Sequence, residues 1–430
     1  MFDASLTFSL VFSAALLLST ALRLWLVLRQ VRHVRQHRAQ VPSAYAGHID
    51  LAAHHKAADY TVAKAKVAMV DIVFGAVVLL GWTLLGGLDA LQQWVSHTLA
   101  PWVAPGLGQQ LALVAAFAVV GGVLDAPLSA WQTFGVEARF GFNRSTWGMW
   151  LVDGLKGVVV SALLGLPLLA AVLWLMEQAG PLWWLWAWGV FMGFNLLMMV
   201  LYPTLIAPLF NRFQPLQDMA LVQRVQALMA RCGFKASGLF VMDGSRRSAH
   251  ANAYFTGLGQ AKRVVLYDTL MQQLSHDELE AVLAHELGHF HHKHIVRRVV
   301  WVALGTLAAL ATLGYASAQS WFYTGLGVQP NLDSGNSALA LLLFAMVVPV
   351  FSLFLAPLSS AMSRRHEFEA DAYAAAQVSA QHLHSALLKL YRDNASTLTP
   401  DPWYVAFHHS HPPASQRLSR LMPSAAGAAA

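Results

Sequence analysis

Residues 275–289 read Ser275-His276-Asp277-Glu278-Leu279-Glu280-Ala281-Val282-Leu283-Ala284-His285-Glu286-Leu287-Gly288-His289. Ser275 and Glu278 form the S-x-x-E pair of a capping box ahead of the apolar Leu279, Val282 and Leu283, so a helix is predicted to begin near His276 and run past His289. His285, Glu286 and His289 then make an H-E-x-x-H pattern on it. Positions four apart share a helix face, so two imidazoles converge on one ion while Glu286 reaches a water bound there. Zinc lowers the pKa of its water to about 7, and a carboxylate can take that proton and later pass it to a leaving amine.

A catalytic zinc site takes a third protein ligand and keeps a position open for water. Where a metzincin would carry its third His stands Ile295, and His292 replaces that motif's Gly, which disfavours that class. A carboxylate from another helix is the better candidate. In Glu367-Phe368-Glu369-Ala370-Asp371, Glu367 and Asp371 share a helix face and Glu369 points nearly opposite. One of the pair can bind metal while the other accepts an N–H bond from a ligating imidazole.

Outward from these motifs the chain is strongly apolar. Of its 430 residues 57% are hydrophobic and only 12% charged, which excludes an ordinary soluble enzyme. Spanning helices need about 20 apolar residues. Seven stretches qualify, near 5–28, 67–90, 107–130, 154–176, 183–205, 295–316 and 338–361. The first lacks a basic flank and is longer than a cleavable signal core, so it reads as a retained helix. Cys232 is the single cysteine, which rules out an internal disulfide and a cysteine metal cluster.

The net charge of +6 does not imply a nucleic-acid partner, because the basic residues are sorted by position. Arg29, Arg32, Arg35, Arg38, Lys56, Lys64 and Lys66 follow the first span, whereas 91–106, 177–182 and 317–337 hold no Lys or Arg. The positive-inside rule then puts the N-terminus outside and the C-terminus, with 206–294 and 362–430, in the cytoplasm. Trp183, Trp184, Trp186 and Trp188 suit an outer interfacial belt or helix packing. His33, His37, His54 and His55 in the first basic loop read as solvated.

Four divisions follow: 1–205 with five spans, 206–294 with HExxH, 295–361 with two more spans, and 362–430. The two polar segments can form one cytoplasmic domain split by a helical hairpin. Within the first, Leu216–Cys232 reads as an amphipathic helix stopped by Gly233. Runs Gly238–Met242, Ala251–Thr256 and Arg263–Tyr267 read as strands, separated by Asp243-Gly244 and by Gly257–Gln260. The small-residue tail Ser424–Ala430 is expected to be disordered.

HELGH at 285–289 and EFEAD at 367–371 occur with GFNRST at 141–146, PLFNRFQPL at 208–216, NAYFTGLG at 252–259 and DPWYVAFHHSHPPASQR at 401–417. This ordered set resembles the integral-membrane CAAX prenyl endopeptidases, gluzincin-type zinc peptidases. The resemblance implies one Zn2+ per chain, with Glu367 as third ligand beside His285 and His289, and Asp371 as its hydrogen-bonded support. It implies that Asn252, Ala253, Tyr254 and Phe255 form an edge strand that binds extended substrate by backbone pairing. It also implies that His411 stands near the scissile carbonyl, with Arg417 supporting the site. Family members enclose a water-filled chamber, which Asp71, Asp89, Asp125 and Asn195 could line; hydrogen bonding between helices is the other use of such residues. His291, His292 and His294 read as polar surface or chamber lining, with only His292 near the metal-facing side.

The expected protein is mainly α and polytopic, with about seven transmembrane helices and a split cytoplasmic zinc-peptidase domain carrying a short β-sheet. Its partners are the lipid bilayer and a peptide or protein substrate, prenylated or membrane-bound, and a bacterial inner membrane is the expected location. A general quality-control protease is the nearest alternative. A transporter or scaffold with structural zinc is the other, disfavoured because such sites are closed by four protein ligands and need no base.

Overall fold

The computed structural model describes residues 3–99, 101–235, 237–256, 263–330 and 335–422. The expected Gly257–Gln260 turn and the Ser424–Ala430 tail lie outside these residues. Seven helices are long and apolar enough to cross a membrane: Ala4–Gln36, Leu51–Trp82, Leu107–Glu137, Trp147–Gln178, Gly180–Phe210, His294–Ala316 and Ser337–Gln377. The chain is an integral, multi-spanning membrane protein.

Most of these helices outrun a bilayer. A helix of 32 residues such as Leu51–Trp82 is about 48 Å long at 1.5 Å per residue, against a hydrocarbon core of about 30 Å. The excess carries helix ends out to the metal-binding segments. The span expected at 67–90 is therefore displaced: it begins at Leu51, where the Asp50 side chain caps it through Ala53 N, and it stops at Trp82. Its first turns are rich in Ala, His and Lys, which favour a helix without making it apolar. Hydropathy marked only the lipid-facing part. Leu107–Glu137 ends in a π-helical stretch, Trp131–Glu137, and Ser337–Gln377 passes a 3-10 turn at Leu353–Leu355 before delivering Glu367 and Asp371.

Packing claims most of the tryptophan run. Trp183 is buried, Trp184 lies against Gly314, and Trp188 Nε1 donates to the Ala303 carbonyl at 2.9 Å, while Trp186 faces outward. Asp89 accepts from Gln329 N at 3.2 Å, joining two connections, and Asn195 bonds to Phe191 O within its own helix. Asp71 and Asp125 are exposed. His54 departs from the solvated role expected of it. It is buried, with Nε2 2.9 Å from His37 O, because its helix begins inside the expected loop and packs on the first span.

The polar segments build a four-stranded sheet in the order β1-β2-β4-β3, with β1 Phe213–Pro215, β2 Gly238–Met242, β3 Ala253–Thr256 and β4 Arg263–Tyr267. β2 and β4 run parallel; the outer pairs are antiparallel. β1 was not anticipated, being three residues ending in Pro215. β3 starts at Ala253 rather than Ala251, because Ala251 N donates to the Asn394 side chain. The amphipathic helix is trimmed to Met219–Arg231, capped by Asp218 and ended by Gly233 at φ 63°. One apolar core joins Leu221, Leu228, Val264, Leu266, Leu283 and Ala284 to Leu387 and Leu418 from beyond the last span. Burial of such side chains, worth about 1.5–3 kcal/mol each, ties the two polar segments together across the intervening hairpin.

Candidate metal centre

The helix His276–His291 carries the capping box as expected: Ser275 N donates to Glu278, and Glu278 N returns a bond to Ser275 Oγ. Its buried side includes Leu279, Leu283, Ala284 and Leu287. It packs on Ala356–Gln377, and Gly288 permits the approach. A Cβ at Gly288 would lie 2.9 Å from Ala370 Cα and 3.0 Å from Ala370 O.

That approach brings three side chains together. His285 Nε2 is 3.3 Å from His289 Nε2 and 3.4 Å from Glu367 Oε2, and His289 Nε2 is 3.3 Å from Glu367 Oε1. Zinc bonds of about 2.0–2.1 Å give a tetrahedron whose edges are about 3.3–3.4 Å. The spacing of these ligand atoms therefore fits one zinc ion. Glu367 Oε2 is buried with no hydrogen-bond partner, which is costly for a carboxylate unless a cation satisfies it. His285, His289 and Glu367 are the metal-competent trio found among the described residues.

Support comes from behind. Asp371 Oδ1 stands 2.8 Å from His285 Nδ1, so this nitrogen carries the proton and Nε2 presents its lone pair to the centre. Arg417 donates to both oxygens of Asp371, at 2.8 and 2.6 Å, and reaches within 3.6 Å of Glu367. Burial alone would depress the His285 pKa; before a metal binds, the carboxylates of Asp371 and Glu367 outweigh it and lift it to about 9, so a metal ion has to displace a proton from Nε2. Burial pushes Glu286 above the ordinary carboxylate range, with the charges of His285 and His289 opposing. His411 Nε2 is 3.4 Å from Glu367 Oε1. Its ring opens to solvent on one side, yet burial of the rest lowers its pKa from the ordinary imidazole value, with the Glu367 charge opposing.

Asn252, His411 and Arg417 line one cleft of about 500 Å³. β3 packs on the HExxH helix, and Phe255 meets Phe290 at a centroid distance of 5.7 Å. The edge of β3 away from β4 pairs with no strand among the described residues.

His294 was missed as a functional residue. It is buried, its Nδ1 is 2.9 Å from His289 Nδ1, and its Nε2 is 3.0 Å from Glu369 Oε2. The helix predicted to run past His289 ends at His291, and Lys293, whose φ of 55° lies in the left-handed region, separates it from the next span. The break turns the chain towards the membrane and sets His294, rather than His292, against the metal-facing imidazole. No local signal marks it, since neither Gly nor Asn stands there. Glu369 does point away from the centre but acts there indirectly, holding His294 and pairing with Arg365. His294→Ala is expected to weaken zinc binding about ten- to a hundredfold, measured by competition with a chromophoric chelator.

Comparison with known proteins agrees with this geometry. Residues 30–212 match the family described as CAAX prenyl protease N-terminal, five membrane helices, and residues 215–424 match peptidase family M48. The CAAX prenyl protease 1 homolog of Oryza sativa subsp. japonica is 40% identical over 317 residues, 72% of each chain. The chain belongs to peptidase family M48. The Saccharomyces cerevisiae CAAX prenyl protease 1 is 32% identical over 92% of this chain and 91% of its own. The crystal structure of S. mikatae Ste24p superposes with a TM-score of 0.90 at 30% identity, covering 96% of this chain and 99% of that one. This M48 member is a membrane-embedded zinc metallopeptidase.

Proposed function

We propose that this M48 peptidase hydrolyses peptide bonds in membrane-bound, prenylated proteins of the C-a-a-X kind, with His285, His289 and Glu367 as its zinc ligands. The observation that carries the reading is the ligand spacing of 3.3–3.4 Å around a buried carboxylate oxygen without a hydrogen-bond partner. When bound, zinc supplies Lewis-acid polarisation of the scissile carbonyl and of the attacking water.

The protein's own groups do the rest. Glu286 takes the proton from the water, and its raised pKa brings it nearer the acidity of the group it must deprotonate. The same carboxyl then returns the proton to the leaving amine. His411, as an N–H donor, supports charge developing on the carbonyl oxygen. Asp371 and Arg417 hold His285 in its tautomer. Extended substrate adds to the free edge of β3 along Asn252–Phe255, where backbone pairing supplies affinity with little regard to sequence.

The sorting of Lys and Arg supports a cytoplasmic zinc domain with the N-terminus outside, and the Ala- and Trp-rich helices support a bacterial inner membrane. Of the four sequence divisions, 1–205 and 295–361 supply the membrane spans, and 206–294 and 362–430 act together as one zinc domain on their shared core. Purified protein is expected to hold one zinc, to cleave a farnesylated C-a-a-X peptide faster than its unprenylated twin, and to lose cleavage when a chelator removes the metal. Equal rates on the two peptides would point instead to a general quality-control protease; full activity after complete metal removal would end the peptidase mechanism.

A further inference from the structure

The π-helical end of the third span and the residue before Ala251 share a polar cluster that the hydrolytic machinery does not use. His250 stacks on Phe142, within the GFNRST run, at a centroid distance of 4.2 Å and an interplanar angle of 14°. Its Nδ1 is 3.2 Å from Asn394 Oδ1. Its Nε2 faces the other way, 3.5 Å from Glu137 Oε2 and 3.4 Å from the Tyr60 hydroxyl. Glu137 Oε1 accepts from Tyr60 Oη at 2.6 Å and from Gln132 Nε2 at 2.9 Å. Phe142 N and Asn143 N donate to the Glu137 carbonyl at 2.8 and 3.2 Å.

Three bonds on the other side of His250 converge on the entry to β3. Asn394 Oδ1, besides meeting the His250 ring, accepts from Ala251 N at 3.1 Å. Thr269 Oγ1 donates to the His250 carbonyl at 3.0 Å, and Tyr267 N donates to Asn252 O at 3.0 Å. Ala249 N is fixed to the Phe142 carbonyl at 3.0 Å. Residues 249–252 are thereby pinned to the membrane bundle on one side and to the zinc domain on the other. β3 is only four residues long, Ala253–Thr256, and is held by its ladder with β4 on one side and by the anchored residues 249–252 at its start, so both fix where its free edge lies.

We infer that Glu137 and His250, at the seam between membrane bundle and zinc domain, are positioning residues that fix the free edge of β3 for pairing with the backbone of extended substrate. The inference rests on the strand-pairing reading proposed above. Neither residue is among the metal ligands, so losing either should weaken substrate binding and leave the chemical step alone. Such a change raises KM without lowering kcat.

The test uses full-length protein in lipid nanodiscs, the fluorogenic peptide that the wild type cleaves, and a copy of it N-methylated on alternate backbone amides. N-methylation removes donors that a pairing strand needs. The wild type should lose about tenfold in kcat/KM on the methylated peptide, and Glu137→Ala should raise KM about tenfold on the parent with kcat within about twofold and zinc content intact. Glu137→Ala should also discriminate poorly between the two peptides. Glu137→Gln, which still accepts from Tyr60, should recover most of the lost affinity. An unchanged KM in Glu137→Ala beside a discriminating wild type overturns the positioning role and leaves strand pairing standing. A wild type indifferent to N-methylation removes strand pairing, and the positioning role with it. Should Glu137→Ala lose its zinc, Tyr60→Phe and His250→Gln carry the same comparison: a raised KM with intact kcat supports the role, and an unchanged KM overturns it.

Discussion

Glu286→Gln retains zinc and loses about 10²–10⁴ in kcat, the range set by general acid–base catalysis. The amide keeps the side chain's shape but cannot take a proton from water, whereas the ligand trio is untouched. Because burial penalises the Glu286 charge, the neutral amide should unfold at the same temperature as the wild type or higher. Steady-state cleavage, zinc analysis and a thermal melt on one preparation separate these effects. A variant that cleaves as fast as the wild type refutes the role of Glu286, and one that loses its zinc along with activity shows a structural role instead.

Gly288→Ala should be nearly as damaging, although its side chain would touch no ligand atom. The added methyl meets backbone at Ala370, at 2.9 Å from Cα, and a helix backbone cannot turn aside as a side-chain tip can. The two helices must separate, and Glu367 leaves with its helix. Overpacking of this kind costs about 1–3 kcal/mol, and a ligand displaced by much less than 1 Å already leaves bonding range. Zinc affinity is expected to fall at least about tenfold, with activity restored only in part by excess metal. Equal zinc affinity in Gly288→Ala and wild type would show that the helix contact does not set the ligand spacing.

What could be read from the chain alone was whatever local spacing dictates. The capping box, the two imidazoles one turn apart and the paired face of Glu367 and Asp371 all depend on helix geometry within a few residues. Their placement follows it. The spans were countable because lipid demands apolar length, but their ends were not: the polar, helix-forming start at Leu51 carries no hydropathy signal. His294 was illegible because one left-handed residue, Lys293, redirects everything after it. The seam around His250 joins residues from Tyr60 to Asn394, and no pattern in a single sequence marks such long-range partners.

The division of the core between two chain segments has a consequence for biosynthesis. A ribosome that has completed the HExxH helix has still to make the next membrane hairpin before Glu367 and Arg417 exist. The nascent protein therefore carries two imidazoles without their carboxylate, and cannot attack itself or its neighbours at the translocon. Only insertion of the final span delivers the missing oxygen atoms, so proteolytic competence becomes a certificate that membrane integration has finished.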